Sequence, residues 1–344
     1  KDHPLSEAEN VIFNSNNEVV KIGKIATEKE EVHGEFIGMM KLNNRGAEIF
    51  KQNFHRVKKL YWNKPFQRAK TFQKAYLTDM IQELVDIGIK VHCVIIERGW
   101  KEIDTVEDYQ KALDSGVNYL DTARNYRDGE DEKLIGQALQ NRRDQVILAS
   151  KTDKRTAKEA RLDLEASLRF LKTDYIDIYQ LHHLNTSIER EQAFANDGVY
   201  GEVLKAKQRG LIRFIGVTGH DWKQVGLAVA TGNFDTVLCW YNCAMKQAET
   251  EIFPHAEEHN VGLIIMNASR NDKLLSSSNV PAPVQFYRYV LSQPSVHLTI
   301  MGLRDIKRFQ QICRQLCISD HLSLDDQFSL EVYGEKMLKQ GKLE

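Results

Sequence analysis

The sequence has no uninterrupted apolar run near the ~20 residues that span a bilayer, and its first residues lack the hydrophobic core of a signal peptide. It also lacks a charge excess, because 47 Lys and Arg residues stand against 48 Asp and Glu residues. This balance provides no broad basic face for nucleic acid or for a membrane surface. We therefore expect a soluble protein whose function depends on local sites, with neither nucleic acid nor a membrane as partner.

Cysteine is scarce, and its spacing suggests no pairing. The five cysteines include no C-x-x-C pair, and an odd number fits no closed set of disulfides. Cys313 and Cys317 stand four residues apart, so they share one face of a helix, where a free cysteine most often packs as a small apolar side chain. The pattern predicts a reducing compartment, the cytoplasm, and assigns cysteine no chemistry.

Short apolar, β-rich runs alternate with longer amphipathic stretches through the last two-thirds of the chain. They predict seven strands, at Val117 to Leu120, Val146 to Ala149, Tyr175 to Leu181, Arg213 to Val217, Thr236 to Trp240, Leu263 to Met266 and His297 to Met301. Strict alternation of strands and helices indicates parallel pairing, since parallel neighbours need a crossover. The expected fold class is α/β, a (β/α)8 barrel of the TIM type that lacks its first strand or borrows it from upstream.

Residues 1–105 do not show this regular alternation of strands and helices, and we expect them to form a separate α/β module ahead of a barrel domain at 106–344. The predicted elements there are a strand from Gly34 to Leu42, a helix from Leu77 to Ile87 with Thr78 as its cap, and a strand from Val91 to Ile96. The run Lys90 to Ile96 is also the candidate for the missing first barrel strand. A helix over Val106 to Leu113, capped by Thr105, leads from the front part into the barrel.

Three successive predicted strands end in residues that can carry chemistry. Asp121 and Tyr126 follow the first, Lys151 follows the second, and His182 follows the third. Barrel active sites are built at the carboxyl ends of the strands, so these side chains are expected to meet. A tyrosine can protonate a carbonyl that accepts a hydride, provided that a lysine stabilises its phenolate and an aspartate holds the lysine. Each residue alone has an ordinary structural explanation, such as a turn, a loop or a solvated side chain, but the set favours catalysis.

Residues 106 to 344 resemble an aldo-keto reductase. The matching segments are Ala112 to Tyr126, the strand-ending Lys151, the D-x-x-x-x-H segment that ends at His182, and Gly210 to Val217. The resemblance implies that Tyr126 is the general acid and that Lys151 supports it. It further implies that Asp121 pairs with Lys151 and that His182 orients or polarises the carbonyl.

The same resemblance implies NADPH as the hydride donor, with NADH as the alternative, and a small carbonyl compound as the substrate. The family binds its cofactor at the ends of the later strands without a G-x-G-x-x-G loop, which this sequence lacks. The implied cofactor-binding residues are Thr218, Asn242, Gly302 and Arg304. The planar guanidinium of Arg304 suits a ribose phosphate and favours NADPH over NADH.

Several positions around the expected cofactor site depart from the family pattern. Thr218-Gly219 replace Ser-Asn, and Leu238 replaces a glutamine. Ala268 stands where a proline is common, and Asp272 stands where a glycine is common. Asp305 replaces a small hydroxyl residue, and Gln311-Ile312 replace Glu-Asn. Each lost contact costs about 1 kcal/mol. We therefore expect the departures to weaken cofactor affinity rather than the chemistry.

Residues 18 to 113 resemble the carboxyl-terminal part of sugar-phosphate and phosphocholine nucleotidyltransferases. The matching segments are Gly34 to Gly38, Tyr76 to Asp79 and Trp100 to Asp108. This resemblance implies that Asp104 binds a catalytic Mg²⁺, which carboxylate oxygens suit. The glycine-rich loop and the second metal-binding aspartate of that family are absent from the sequence, so helix capping beside Thr105 competes as the role of Asp104.

The sequence therefore predicts an NADPH-dependent aldo-keto reductase behind a truncated nucleotidyltransferase-like module. One alternative is a Mg-dependent cytidylyltransferase that acts on a phosphorylated alcohol or sugar. The other is a non-catalytic fusion remnant. Neither the identity of the substrate nor the oligomeric state follows from the sequence.

Overall fold

A computed structural model describes residues 9–24, 32–36, 40–94, 105–276, 279–302, 306–319 and 321–343. The chain divides into two compact units, Lys1–Trp100 and Lys101–Glu344. Each unit contains its own hydrophobic clusters. The assignment of residues 1–105 and 106–344 to modules of two different families stays a prediction.

The first unit combines a small antiparallel sheet of strand order β2-β1-β3 with two helices. The elements are β1 Asn10–Phe13, β2 Val19–Gly23, β3 Gly34–Glu35, α1 Asn44–Tyr61 and α2 Leu77–Asp86. Ile81 of α2 packs with Val11 and Ile22 of the sheet. Met80 of α2 packs instead with Val57 of α1. Helix α2 therefore joins the sheet to α1.

Helix α2 confirms the predicted amphipathic helix, but the predicted cap is wrong. Tyr76 occupies the N-cap position, and its backbone N–H donates a hydrogen bond of 2.8 Å to the Asp79 carboxylate. Thr78 lies inside the helix, where its hydroxyl donates to Glu9 and accepts from Arg68. A carboxylate accepts a stronger hydrogen bond than a hydroxyl, so Asp79 fixes the first turn ahead of Thr78.

The predicted strand from Gly34 to Leu42 is shorter in the structure. Gly34 and Glu35 pair with β1, whereas residues 37–39 lie outside the described ranges. Residues 40–43 are not strand, because the Asn43 side chain accepts a hydrogen bond of 2.7 Å from Gly46 N–H and so caps α1 immediately afterwards.

The run Lys90 to Ile96 does not close a barrel over its described part, so the prediction that it lends the first barrel strand is wrong there. Val91 accepts a hydrogen bond of 2.7 Å from Val19 N–H, and Cys93 N–H donates one of 2.7 Å to Asn17. The side chains of Val91 and Cys93 pack against the cluster of the small sheet. The run therefore satisfies its backbone and buries its apolar side chains within the first unit, while residues 95 and 96 lie outside the described ranges.

The second unit is built on a parallel sheet of seven strands, in the order β10-β9-β8-β7-β6-β5-β4. Its strands are β4 Tyr119–Asp121, β5 Ile147–Thr152, β6 Ile176–Leu181, β7 Ile212–Thr218, β8 Thr236–Trp240, β9 Gly262–Met266 and β10 Val296–Thr299. All seven predicted strands are confirmed, with ends displaced by up to three residues. Every neighbouring pair is parallel, as the alternation with helices predicted.

The sheet is rolled, because its two edge strands share one apolar cluster. Tyr119 of β4 and Leu298 of β10 both pack against the cluster formed by Ala149, Ile178, Leu238 and Ile264 from the strands between them. Within the described ranges no strand pairs with the free edge of β4 or of β10. Among the described residues the structure therefore shows a curled parallel sheet of seven strands, an α/β fold consistent with the expected (β/α)8 barrel.

Helices follow the strands and bury their inner faces against the sheet. They are α3 Val106–Asp114, α4 Glu130–Ala138, α5 Ala157–Leu171, α6 Ser187–Ala193, α7 Val199–Gln208, α8 Trp222–Val229, α9 Ala248–Glu251, α10 Phe253–Glu258, α11 Pro283–Leu291, α12 Ile306–Ile318 and α13 Leu324–Lys339. Thr105 caps α3 by accepting a hydrogen bond from Asp108 N–H, as predicted. Cys313 and Cys317 both lie on α12 and are free. Among the described helices none is long and apolar enough to cross a membrane.

Candidate active site

The ends of three neighbouring strands bring the predicted tetrad together. In the pairing register Asp121 of β4 lies beside Ala149 of β5, and Lys151 lies two residues further along β5. His182 directly follows β6 and donates its backbone N–H to Thr152 over 2.9 Å. Parallel neighbours end at the same edge of a sheet, so the spacing of these residues in the sequence becomes one site in space.

Lys151 and Asp121 form the buried base of this site. Lys151 is 1% exposed, and its Nζ donates to Asp121 Oδ2 over 2.6 Å and to Thr122 O over 2.7 Å. The second carboxylate oxygen of Asp121 accepts a hydrogen bond of 3.0 Å from Gln180 Nε2. A charge removed from water is tolerated only when it is paired and hydrogen-bonded, and both conditions hold here.

Tyr126 lies over this ion pair. Lys151 Nζ is 5.1 Å from the centroid of the Tyr126 ring. The ring also meets His182 edge to face, with centroids 5.9 Å apart and planes at 74°. Tyr126 is 39% exposed, which leaves its ring accessible to a small molecule while the ion pair beneath stays dry. The predicted four residues therefore lie together.

His182 is held as a neutral imidazole. Burial, followed by the positive charge of Lys151 and by three further groups on its other sides, His183, His220 and Arg155, lowers the pKa of His182 to about 2. Its Nδ1 is buried and has no hydrogen-bond partner among the described residues. A neutral imidazole with an unsatisfied nitrogen can donate to, or accept from, a group placed beside it.

Arg155 fixes the backbone that carries His182. Its Nη2 donates to the carbonyl of His182 over 2.8 Å and to that of His183 over 3.0 Å, and it lies 3.8 Å from Glu189. His183 has a left-handed backbone with φ of 58°, which is costly for a residue other than glycine. Arg155 holds this turn in place. Sequence reasoning missed Arg155, since nothing in its spacing points to the histidines.

A row of rings extends from the tetrad across the following strand ends. His183 stacks on His182 at 3.6 Å between centroids and meets His220 edge to face at 5.5 Å. His220 stacks on Trp240 at 4.5 Å, and the guanidinium of Arg270 lies 4.5 Å from the centroid of Trp240. Sequence reasoning left His183 out and did not find the row, although a His-His pair at the end of a barrel strand was a usable signal.

The predicted cofactor-binding residues lie in different environments. Thr218 is buried at the end of β7. Asn242 is also buried, but its amide donates to Asn267 O, and its Oδ1 accepts from the backbone N–H groups of Ala244 and Met245. The side chain of Asn242 is thereby committed to its own turn. Arg304 lies outside the described residues.

A cleft opens at the carboxyl ends of β9 and β10. It is lined by Asn267, Ala268, Ser269, Asn271, Asp272, Tyr287, Ile300, Met301, Gly302, Arg308 and Phe309. Apart from its chain neighbours, no described residue has an atom within 4 Å of the position that a Cβ on Gly302 would take, so there is open space beside Gly302. Arg308 binds the carboxylate of Asp272 through two nitrogens, at 3.0 and 3.1 Å. Asp272, a departure from the family pattern, therefore places a guanidinium in the cleft, and the sequence did not indicate Arg308.

Leu238, which replaces a glutamine, is buried in the apolar cluster inside the rolled sheet. Asp104 lies outside the described residues. Among the residues that the structure does describe, no group of three or more His, Cys, Asp or Glu side chains could hold a metal ion. The nucleotidyltransferase resemblance and its Mg²⁺ stay predictions.

Comparison with known proteins identifies relatives of this chain. Aldo-keto reductase YhdN of Bacillus subtilis is 32% identical over 180 residues, which cover 48% of this chain and 52% of that protein. Methylglyoxal reductase YeaE of Escherichia coli is 37% identical over 112 residues, covering 32% of this chain and 37% of that protein. The chain thus spans about half the length, or less, of these curated relatives.

Solved structures share the fold. An aldo-keto reductase from Klebsiella pneumoniae in complex with NADPH superposes with a TM-score of 0.57 at 24% identity, covering 67% of this chain and 85% of that one. The holo form of an aldo-keto reductase from Bacillus halodurans gives a TM-score of 0.56 at 23% identity, covering 68% and 88%. The model of the aldo/keto reductase family matches residues 97–274, just over half of the chain. The chain therefore belongs to the aldo/keto reductase family.

Proposed function

We propose that the chain reduces an aldehyde or ketone to an alcohol, with NADPH as the hydride donor and Tyr126 as the proton donor. The observation that carries this proposal is the buried Lys151–Asp121 pair, 2.6 Å between its charged atoms, directly beneath the Tyr126 ring. Such a pair holds a positive charge next to a phenol, which stabilises the phenolate that remains after proton transfer.

The cleft between the ends of β9 and β10 fits the phosphate-bearing part of such a cofactor. Gly302 leaves room for close approach, and Arg308 supplies a planar guanidinium. Thr218 ends β7, which is the strand next to β6, so it lies between the cleft and the tetrad in the order of the strands. When bound, a reduced nicotinamide supplies the hydride that the carbonyl carbon accepts. The complex of the Klebsiella pneumoniae reductase with NADPH supports the choice of NADPH over NADH.

Residues of the chain orient the carbonyl, donate the proton and stabilise the phenolate. The neutral His182 imidazole hydrogen-bonds to the carbonyl oxygen and orients it, and Tyr126 then donates its hydroxyl proton to that oxygen. Lys151 stays protonated and paired with Asp121 throughout, so the positive charge remains in place as the phenolate forms. The alcohol is released once the oxygen has gained its proton.

The substitution Tyr126→Phe tests the proposal. It removes the proton donor but keeps the ring over Lys151, so NADPH binding, followed by cofactor fluorescence, should stay within about twofold while turnover of a panel of aldehydes falls at least about a hundredfold. Tyr200→Phe is the matched control, because Tyr200 lies on α7 rather than in the tetrad and its hydroxyl donates a hydrogen bond to the Asn233 carbonyl. Undiminished turnover in Tyr126→Phe would refute the role of Tyr126.

A further inference from the structure

The row of rings that extends from the tetrad ends in a guanidinium without an acceptor. The guanidinium carbon of Arg270 lies 4.5 Å from the centroid of Trp240, and Arg270 Nε is buried with no hydrogen-bond partner among the described residues. Asp272, the nearest acid along the chain, is already bound to Arg308. A buried polar nitrogen without an acceptor is costly unless a ligand supplies one. Arg270 is therefore placed to bind an anion.

The loop after β9 turns Arg270 away from the cleft proposed for the cofactor. Ser269 and Asn271, its neighbours in the chain, line the cleft at the ends of β9 and β10, but Arg270 does not. Arg270 instead lies over Trp240, the last residue of β8. Its backbone is left-handed, with φ of 52°, a conformation that is costly for a residue other than glycine and that recurs at ligand sites. The anion is therefore expected on the side of the ring row.

The other groups along the row leave Arg270 as its available cation. Burial lowers the pKa of His183, and burial together with His183 and Arg270 lowers that of His220, so both imidazoles are neutral at pH 7. At the tetrad end Lys151 is held in its buried ion pair, and Arg155 donates to two backbone carbonyls. A stacked guanidinium uses its face and keeps the N–H groups along its edge for an acceptor in its plane. Charge and geometry thus favour a planar anion that accepts two hydrogen bonds, which is a carboxylate.

We propose that Arg270 selects carbonyl substrates that carry a carboxylate, which it binds while the carbonyl group lies at Tyr126 and His182. This inference rests on the proposed reductase activity. The row connects the two points, because its members follow the ends of β6, β7, β8 and β9 in the order of the sheet. Its rings offer an aromatic wall to the body of the substrate. The substrate class is therefore an aromatic aldehyde or ketone with a carboxylate remote from the carbonyl.

The first experiment compares an acid with its amide, which has nearly the same shape without the charge. The pairs are para-formylbenzoate with para-formylbenzamide, and the longer biphenyl aldehydes that carry the same two groups. Arg270→Gln should lower the ratio of kcat/KM for the acid to kcat/KM for the amide at least about tenfold in the pair whose length spans the row, because a charge-assisted bidentate contact is lost. Arg270→Lys, which keeps the charge without the planar fork, should give a ratio between those of Arg270→Gln and the wild type.

Arg169→Gln is the matched control for this comparison. Arg169 is exposed on α5 and also lies over a ring, 5.2 Å from the centroid of Phe170. Its replacement should leave the acid-to-amide ratio as in the wild type, and circular dichroism checks that every variant is folded. A ratio that Arg270→Gln leaves unchanged in both pairs would overturn the carboxylate site while the reductase activity stands.

The second experiment needs no turnover, so it separates this inference from the proposed function. The full chain is titrated calorimetrically with the same acids and amides, with and without oxidised cofactor. Arg270→Gln should lower the affinity for the acid at least about fivefold, whereas Arg169→Gln should not change it. This difference in affinity without turnover of any aldehyde would count against the reductase alone.

Two results of these titrations would overturn the carboxylate site. One is equal affinity for the acids in the wild type and in Arg270→Gln. The other is a loss of NADPH affinity of about tenfold in Arg270→Gln, because the guanidinium would then bind a cofactor phosphate rather than the substrate.

Discussion

Replacing Asp121 with asparagine tests how strongly the buried ion pair supports the second unit. The change removes the negative charge beside the Lys151 ammonium, which is 1% exposed. The asparagine amide keeps one oxygen, which can accept from Lys151 or from Gln180 but replaces only one of the two carboxylate oxygens, and Lys151 keeps the Thr122 carbonyl at 2.7 Å. Removal of one partner from a buried pair costs about 3 to 5 kcal/mol. Because Lys151 keeps the Thr122 contact and the Asp121 side chain is 12% exposed, the lower end of that range, about 3 kcal/mol, is expected for Asp121→Asn.

The measurement is a double-mutant cycle in urea, followed by circular dichroism. Lys151→Met should also destabilise by about 2 to 3 kcal/mol, but the double variant should cost less than the sum, with a coupling free energy of about 2 kcal/mol. Ile265→Val, in the core of the second unit, serves to identify which transition belongs to that unit. A coupling below about 0.5 kcal/mol would refute the reasoning, since it would mean that the two side chains do not depend on each other.

Two further predictions concern the histidine end of the site. Burial lowers the pKa of His182 from 6.5 to about 2, so the unfolded chain takes up a proton that the folded chain excludes, and stability falls as the pH drops below about 6.5. Between pH 6 and 5 the wild type should lose about 1 kcal/mol more stability than His182→Gln in urea denaturation, and equal losses would contradict a buried neutral imidazole. Arg155→Ala removes two hydrogen bonds to the turn at His182 and His183 and should lower kcat about tenfold with unchanged NADPH affinity, with Arg155→Lys intermediate. An unchanged kcat in Arg155→Ala would show that the turn holds without it.

The sheet of the second unit was predictable because of how parallel strands are buried. Helices cover one face and the inside of the rolled sheet covers the other, so strands such as Ile176–Leu181 are buried at every position and are mostly apolar in sequence, with Asp177 and Gln180 as buried polar exceptions. The tetrad was predictable for a related reason. Asp121 and His182 directly follow the predicted runs, Lys151 comes two residues after one, and Tyr126 lies in the loop after Asp121. Parallel strands place their carboxyl ends together, which brings these residues into one site.

Other features depended on contacts that no local pattern encodes. The run Lys90 to Ile96 has the composition of a barrel strand, but Val91 and Cys93 find both a backbone partner and an apolar cluster in the first unit. Thr78 is a good capping residue by type, but Tyr76 takes the N-cap position because its backbone N–H binds the carboxylate of Asp79 in the first turn. Arg155 donates its hydrogen bonds to two backbone carbonyls. Every residue has such a carbonyl, so the sequence does not indicate which ones an arginine will bind.

The cofactor side of the site shows the same limit. Gly302 and Asp272 could be judged only as matches or departures from a family pattern. In the structure Asp272 and Arg308 form an ion pair in the cleft that Gly302 also lines, so the departure at Asp272 positions a guanidinium there. This contact joins residues 36 positions apart across two strand ends, and it depends on the rolled sheet rather than on either residue alone.

The transfer of a labelled hydride tests the central claim most directly. The full chain is incubated with an aldehyde and NADPH that carries deuterium at the transferable position of the nicotinamide, and the alcohol product is analysed by mass spectrometry. Direct transfer beside Tyr126 and His182 predicts one deuterium on the carbinol carbon of the product, in step with oxidation of the cofactor. Oxidation of the cofactor without deuterium in the alcohol, or no alcohol at all, would contradict the proposed reductase.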